Sequence, residues 1–393
     1  DFALDPACRD PRTGLVKNTR EFWERSSGHG VREGYELAYQ CWNIAGWRRA
    51  AEMAAHLGEQ ASAARWTEAA ELMQRSFLND EKYSFLREGR FVKRLLADGE
   101  PQWTLDPPRR ESLPPGMPLR VESVSYANPD AASVYPMLLG IADPRGEAAR
   151  RTLESMETLW NQRWDIGGYG RYHVTGEPDS PGPWPFASLF IARAYLEAGD
   201  SEKTWRVLRW LESVPGGRSG AWFEYYGPRP VPPLPPVALI PWTWAEIVTL
   251  IVGHLLGVRP DPGGVTVQPH LLEGLADVQA ALRLNGHSLL LRIRKAMGRQ
   301  AAFLDGREME VDDWHDGASH AFACVINLRG DPTPEGQVAA EQAHPVLIVF
   351  NAEADPVTVT LPGGPWQLRL DSSDATAAGR RVDAHGRVEA PAS

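Results

Sequence analysis

Two glutamates, Glu24 and Glu224, stand among aromatic residues in short segments that precede helical patterns. The first lies in Phe22-Trp23-Glu24-Arg25 and the second in Trp222-Phe223-Glu224-Tyr225-Tyr226. A carboxylate beside aromatic side chains is partly desolvated and keeps a proton near neutral pH, which suits a general acid. Two carboxylates that face each other across a sugar can protonate the leaving oxygen and activate water. The pair therefore predicts hydrolysis of a glycosidic bond.

Each glutamate also has a purely structural interpretation. Glu24 can favour the following helix through its negative charge near the helix N-terminus. Glu224 can be an exposed carboxylate in a β-turn. Arg25 stands next to Glu24 and would oppose a protonated acid if the two side chains approach each other. The sequence leaves the direction of Arg25 open.

The tryptophan content supports a carbohydrate ligand, because the chain has 15 Trp against 7 Met. An indole offers an apolar face to a sugar and an N–H donor at its edge. Burial in the core is the alternative explanation for any single tryptophan. Arg171, in a glycine-rich loop, can bind sugar hydroxyls through its fork of donors. The predicted sugar contacts are Trp23, Arg171, Tyr172, Trp184, Trp222 and Trp242.

Composition and missing motifs exclude several other functions. The net charge is −10 without a block of Lys and Arg, which argues against nucleic acid and anionic membranes. Three cysteines without CxxC spacing indicate neither a disulfide framework nor a zinc site. HExxH, GxSxG and phosphate-loop motifs are missing. We therefore expect a carbohydrate partner and no cofactor or metal. The opening segment lacks a signal-peptide core, which favours a cytoplasmic location, with export depending on residues upstream of Asp1.

Apolar spacing and turn residues predict a helical region followed by a β region. Helical periodicity extends over residues 31–57, 61–77, 130–139, 145–160, 186–198, 201–212 and 244–256. Proline-rich loops lie at 98–118 and 227–241. Short alternating segments between turn residues predict strands at 265–267, 281–284, 288–293, 301–303, 320–328, 346–350 and 357–361. We expect a helical domain over 1–258, a β-sandwich-like domain over 259–370 and a polar tail over 371–393.

The order of the loop motifs resembles that of the six-hairpin glycosidases, and most closely the glucoamylase-like family. Phe22-Trp23-Glu24-Arg25 is similar to the family's acid loop, and residues 54–58 to the end of the helix after it. Residues 169–172 are similar to its Gly-Arg-Tyr substrate loop and residues 182–186 to its Asn-Pro-Trp helix start. Phe223-Glu224-Tyr225 falls where its base loop is expected, and residues 241–244 are similar to the segment before its last helix. The resemblance covers about residues 13–258.

This resemblance implies an (α/α) six-hairpin toroid that lacks its first helices. It implies that Glu24 is the general acid, Glu224 the general base, Arg171 and Trp184 substrate contacts, and Trp23 a support. The implied reaction proceeds with inversion, in which the carboxyl groups lie roughly 6.5–9.5 Å apart. Arg25 replaces the family's second glutamate, and Tyr225 replaces the glutamine after its base. Because of these differences, the resemblance does not determine which sugar is bound. A homo-oligomer or an N-terminal segment would complete the ring.

Residues 256–271 resemble the β-domain of rhamnosidases and disaccharide phosphorylases. Two alternatives to hydrolysis stay open. One, suggested by the lack of the first helices, is a noncatalytic carbohydrate-binding or accessory chain. The other, suggested by the β-domain, is an inverting disaccharide phosphorylase, which would require a phosphate site. The sequence shows no clear basic cluster for phosphate.

Overall fold

The chain folds into two compact units, Asp1–Val278 and Gln279–Ser393. The computed structural model describes residues 2–105, 124–162, 164–176, 182–227, 240–261, 264–284 and 287–294, and only strands beyond them. Helices dominate the first unit and strands the second, so the prediction of a mainly α chain with a β region is confirmed. No helix in the described part of the chain has the length and apolar character needed to cross a membrane.

All seven predicted helical regions contain helix. They are α1 (Leu37–His56), α2 (Gln60–Asn79), α3 (Tyr135–Leu138), α4 (Glu147–Met156), α5 (Pro185–Ala198), α6 (Ser201–Ser213) and α7 (Pro241–Val248). A π-helical stretch, Thr249–Leu255, continues α7, and 3₁₀ turns at Ala131–Val134 and Glu157–Leu159 extend α3 and α4. Further 3₁₀ turns lie at Phe2–Leu4, Ser27–His29, Val174–Gly176 and Gly217–Ser219.

The predicted start of the first helix, residue 31, is wrong. Residues Gly34–Glu36 form a strand, and α1 begins only at Leu37. Gly34 packs so closely that a Cβ atom there would lie 2.0 Å from the carbonyl oxygen of Leu95. Glu36 then caps the helix, because its carboxylate accepts the backbone N–H of Tyr39 at 3.4 Å. Strand pairing and this cap therefore place the start of α1 at Leu37 instead of residue 31.

Short strands connect the helices of the first unit. They are β1 (Lys17–Asn18), β2 (Gly34–Glu36), β3 (Leu86–Arg87), β4 (Arg90–Phe91), β5 (Arg94–Leu96), β6 (Thr104–Leu105), β7 (Ser125–Tyr126), β8 (Val258–Asp261) and β9 (Gly264–Val267). Strand β2 lies between β1 and β5 in an antiparallel sheet, and β3–β4, β6–β7 and β8–β9 pair in twos. Two-residue strands carry too little alternation to be predicted from sequence.

Helix α5 lies at the centre of the helical unit. It packs against α3, α4, α6 and α7, while α1 packs along α2. A nearly continuous apolar sequence explains its burial on all sides. Its one charged residue in the core, Arg193, is 6% exposed and pairs with Glu246 of α7 at 2.8 Å. The N-terminus of α5 lies at Trp184, so this rigid helix positions one of the predicted sugar contacts.

The second unit consists of paired strands in its described part. The strands are β10 (Asp277–Leu284), which begins just before this unit, β11 (His287–Arg294), β12 (Phe303–Leu304), β13 (Arg307–Glu308), β14 (Ala321–Asn327), β15 (Pro345–Asn351), β16 (Val357–Thr360), β17 (Trp366–Gln367), β18 (Arg381–Val382) and β19 (Arg387–Ala390). They pair as β10–β11, β12–β13, β14–β15, β16–β19 and β17–β18. A sandwich of two sheets stays a prediction, as do the boundaries at 258 and 370.

Candidate active site

Glu24 lies at the tip of a tight turn whose two ends are tied together. The Glu24 N–H donates to the carbonyl of Glu21 at 2.9 Å, and the Glu21 N–H donates to that of Arg25 at 3.1 Å. Glu24 has φ +69°, in the left-handed region that non-glycine residues rarely adopt. Its side chain is exposed. The desolvated carboxylate that the sequence predicts at this position is therefore not observed in the described structure.

Arg25 points into the protein and away from Glu24. Its Nε lies 2.7 Å from Oε1 of Glu21, and one terminal nitrogen donates to the carbonyl of Gly176 at 3.1 Å. The guanidinium also lies 3.6 Å from the ring centre of Tyr172. Arg25 is only 4% exposed. The question left open by the sequence is thus answered, because the partner of Arg25 is Glu21.

A buried group of charges holds this turn from inside. The ammonium of Lys93 contacts the carboxylates of both Glu21 and Asp130. Burial alone would raise the pKa of Glu21, but Arg25 and Lys93 outweigh it and hold this pKa at about 2. Asp130 accepts the indole N–H of Trp23 at 3.0 and 3.1 Å. Both residues that flank Glu24 are therefore fixed by buried partners.

Glu36 is a third buried carboxylate next to the same turn. Its Oε1 accepts the backbone N–H of Phe22 at 3.3 Å. Burial raises its pKa to about 7; Lys93 opposes this shift, while Glu21 and Asp130 add to it. Near neutral pH this group exchanges a proton while it holds the backbone two residues before Glu24.

Arg171 joins the aromatic residues of several loops. Its guanidinium carbon lies 3.9 Å from the ring centre of Trp184, 5.9 Å from that of Trp23 and 5.0 Å from that of Tyr172. Trp184 in turn stacks on Tyr225 with 5.5 Å between ring centres. The segments that carry Glu24 and Glu224 therefore meet on one aromatic cluster around Arg171. Hereafter Trp23, Arg171, Tyr172, Trp184 and Tyr225 are called the Arg171 cluster.

The Glu224 segment is anchored by the two tyrosines that follow it. Tyr226 donates its backbone N–H to the carbonyl of Pro183 at 3.0 Å and its hydroxyl to that of Pro215 at 2.9 Å. The backbone at Gly182 approaches so closely that a Cβ there would lie 1.8 Å from the carbonyl oxygen of Tyr226. Glu224 itself is half-buried. These contacts fix its segment against the start of α5.

The predicted sugar contacts differ in their exposure and location. Tyr172 is 2% and Trp184 5% exposed, so little of either ring is accessible from solvent. Trp242 is 38% exposed and contacts Phe186, with 6.0 Å between ring centres, and Phe186 in turn lies 6.4 Å from Trp23 of the cluster. Trp222 donates its indole N–H to the carbonyl of Leu211 at 2.9 Å. It lines a separate open cleft of about 480 Å³ between α6 and α7, so the described contacts do not bring it into the Arg171 cluster.

Sequence reasoning missed the residues that hold the acid turn, namely Glu21, Lys93 and Glu36. A fourth residue, Asp130, begins the helical region predicted over 130–139 and caps it, since its carboxylate accepts the N–H of Ala132 at 2.8 Å. The four-residue spacing of Glu21 and Arg25 could have indicated this ion pair, because it places opposite charges close together in the chain. Lys93 gave no such signal, since its partners lie far away in the chain. Among the described residues no group of three or more His, Cys, Asp and Glu is arranged to hold a metal ion.

Comparison with known proteins gave matches among solved structures only. No family model and no curated protein matches the sequence. A glycosidase in complex with glucose is 17% identical with a TM-score of 0.37, and the match covers 59% of this chain and 48% of that one. A wild-type glycosidase is 17% identical with a TM-score of 0.37 and coverages of 61% and 49%. A bacterial glucoamylase complexed with acarbose is 17% identical with a TM-score of 0.42 and coverages of 56% and 33%. The chain thus spans about half or less of the length of these structures.

Proposed function

We propose that this protein is a glycoside hydrolase that cleaves an oligosaccharide or glycoside with inversion, with Glu24 as general acid and Glu224 as general base. The observation that carries the proposal is the convergence of their two segments on the Arg171 cluster. Trp23, next to Glu24, lies on one side of the Arg171 guanidinium. Trp184 lies closer to that guanidinium and stacks on Tyr225, the neighbour of Glu224. A sugar bound over Arg171 would have a carboxylate available from each segment.

The chemistry assigned to each group follows from its surroundings. Glu24 is exposed at the tip of its turn, so it reaches a leaving oxygen without first breaking an internal ion pair. Binding of a sugar would supply the desolvation that an acid requires. Arg171 provides donors for sugar hydroxyls in a fixed fork, and the partly exposed Trp242 provides an apolar face. Trp184 and Tyr172, both buried, lie against the guanidinium and support it.

Replacement of each carboxylate by its amide tests the proposal. We expect Glu24→Gln and Glu224→Gln each to lower kcat by about two to four orders of magnitude, the range for loss of a general acid or base. Glu81→Gln is the control, because Glu81 is an exposed glutamate in a turn away from these segments. Substrates are chromogenic and natural glycosides, and product anomers are followed by NMR immediately after mixing. Full activity in either amide variant would remove that carboxylate from the mechanism.

The exposure of Glu24 also favours a second candidate, a noncatalytic carbohydrate-binding chain. A binding protein uses the Arg171 cluster without needing a desolvated acid. It predicts sugar binding by calorimetry that is unchanged in Glu24→Gln and no product release from any glycoside. The same reactions run with and without inorganic phosphate distinguish hydrolysis from phosphorolysis, since only phosphorolysis requires phosphate.

A further inference from the structure

The side chain of Asp130 is fully buried and accepts hydrogen bonds from two other parts of the chain. Both of its oxygens accept the indole N–H of Trp23, at 3.0 and 3.1 Å. The Lys93 ammonium contacts the same carboxylate, and the Ala132 N–H donates to it at 2.8 Å. These three donors engage both oxygens of the carboxylate, which offers about four acceptor positions in all. None of them comes from solvent, and Asp130 is 0% exposed.

The backbone around Asp130 holds the loop that carries Arg171. Asp130 and Tyr172 form an isolated antiparallel bridge. The Ala131 N–H donates to the carbonyl of Arg171 at 2.7 Å, and the His173 N–H donates to that of Pro129 at 3.1 Å. Backbone bonds on both sides of Asp130 thus fix the Arg171 loop, while its side chain fixes the turn of Glu24.

The conformation of Glu24 needs such anchoring. A non-glycine residue in the left-handed region is strained and persists only where its surroundings impose that conformation. The surroundings here are the two neighbours of Glu24. Arg25 is fixed by Glu21 and Gly176, and Trp23 is fixed by Asp130. Loss of the Trp23 anchor would let the turn relax.

We propose that Asp130 is a positioning residue that sets the location of Glu24 relative to Arg171. Its carboxylate acts on Glu24 through Trp23, and its backbone acts on Arg171 through the bridge to Tyr172. It does not touch the substrate. This inference rests on the proposed function in assuming that Glu24 and Arg171 act on the same sugar.

The first test uses two variants that act on the same hydrogen bond from opposite ends, Asp130→Asn by weakening it and Trp23→Phe by removing it. Asp130→Asn leaves a single oxygen acceptor and no charge, whereas Trp23→Phe leaves Asp130 and Lys93 intact. We expect each to lower kcat by about 10-fold to 100-fold with a smaller change in KM, since a misplacement near 1 Å costs about this much. The double variant should be no slower than the slower single variant. A fall in stability alone does not produce this pattern.

The second test does not depend on turnover. The indole N–H resonance of Trp23 is assigned from its loss in Trp23→Phe, and amide exchange is measured by mass spectrometry over residues 21–30 and 169–173. We expect Asp130→Asn to shift that resonance and to speed exchange in both segments. The control is Glu197→Gln, because Glu197 is another buried carboxylate and pairs with His254, Arg259 and His270. Glu197→Gln should lower stability, while amide exchange in both segments and kcat stay as in the wild type.

The outcomes separate the two proposals. An unchanged Trp23 resonance and unchanged exchange in Asp130→Asn, or equal changes in Glu197→Gln, would overturn the positioning role. Additive losses of kcat in the double variant would also overturn it. If the wild-type protein hydrolyses no glycoside, the proposed function fails, and the resonance and exchange measurements still decide whether Asp130 holds both segments.

Discussion

Glu21 and Arg25 form a buried ion pair at the two ends of the turn that carries Glu24. The Arg25 Nε lies 2.7 Å from Glu21 Oε1, and the side chains are 4% and 0% exposed. Lys93 adds a second positive charge to the same carboxylate. Glu21 is thus buried between two cations, while Glu24 is directed to the surface. One turn therefore separates a structural carboxylate from a candidate catalytic one.

We expect Glu21→Gln to destabilise the protein strongly. Removal of one partner leaves Arg25 and Lys93 buried beside a neutral amide, and breaking a buried pair costs about 3–5 kcal/mol. The free energy of unfolding in urea gives the measurement. The matched control is Glu52→Gln, because Glu52 pairs with Arg49 at the same 2.7 Å but on the surface. Glu52→Gln should lower the free energy of unfolding by less than about 1 kcal/mol. Equal small losses in both variants would contradict the structural role of Glu21.

The stability of the protein should fall as the pH rises from about 4.5 to about 7 through Glu36. Its pKa is raised from 4.5 to about 7 by burial, so the folded state holds a proton that the unfolded state has released. This proton stabilises the folded state fully below pH 4.5, and its stabilising effect is lost as the pH rises through about 7. For one group the slope is at most about 1.4 kcal/mol per pH unit.

The Glu36→Gln variant isolates this contribution. The amide does not titrate and keeps one oxygen acceptor, which replaces either Oε1, the acceptor of the Phe22 N–H, or Oε2, the acceptor of the Tyr39 N–H. As the pH rises from 5 to 8, we expect the unfolding free energy of the wild type to fall relative to that of the variant. Glu81→Gln should show a constant difference over this range. A pH-independent difference for Glu36→Gln would show that Glu36 does not carry the effect.

Much of the helical unit could be predicted from the sequence because its signals are local. Helix α5 has a nearly continuous apolar sequence, and α6 begins at residue 201 as predicted, with Asp200 as its cap, since Asp200 accepts the Lys203 N–H at 2.9 Å. The start of α1 could not be found in this way, since it depends on pairing of β2 with β5.

The candidate site was predictable only in part, and for a related reason. Trp23, Arg171 and Trp184 could be named from their types and loop positions, and the structure brings these three together. The direction of Arg25 depends on Glu21 and on Gly176, which is distant in the chain. Trp222 looked equivalent to the other tryptophans, yet its indole N–H bonds to Leu211. Local patterns indicate which residues can act, whereas distant contacts decide where they point.

A methyl group at Gly182 should displace the Glu224 segment. The added Cβ of Gly182→Ala would lie 1.8 Å from the carbonyl oxygen of Tyr226, so one of the two backbones must move. We expect a loss of about 1–3 kcal/mol in stability, the usual cost of overpacking, together with lower kcat/KM on any glycoside that the wild type cleaves. Gly46→Ala is the control. Gly46 lies inside α1 with open space around it, and its replacement should stabilise the protein by about 0.5–1 kcal/mol.

Replacement of Arg171 by lysine should weaken sugar binding more than it slows the chemical step. Lysine keeps the positive charge but loses the planar fork and the stacking on Trp184, where the guanidinium carbon lies 3.9 Å from the ring centre. We expect KM to rise about tenfold, equivalent to about 1.4 kcal/mol of binding free energy, with a smaller change in kcat. The control is Arg65→Lys, because Arg65 lies 5.8 Å from the ring of Trp66 on α2. Since the Arg171 guanidinium carbon also lies 5.9 Å from the ring centre of Trp23, a fall in kcat with unchanged KM would instead assign Arg171 to holding the Glu24 turn.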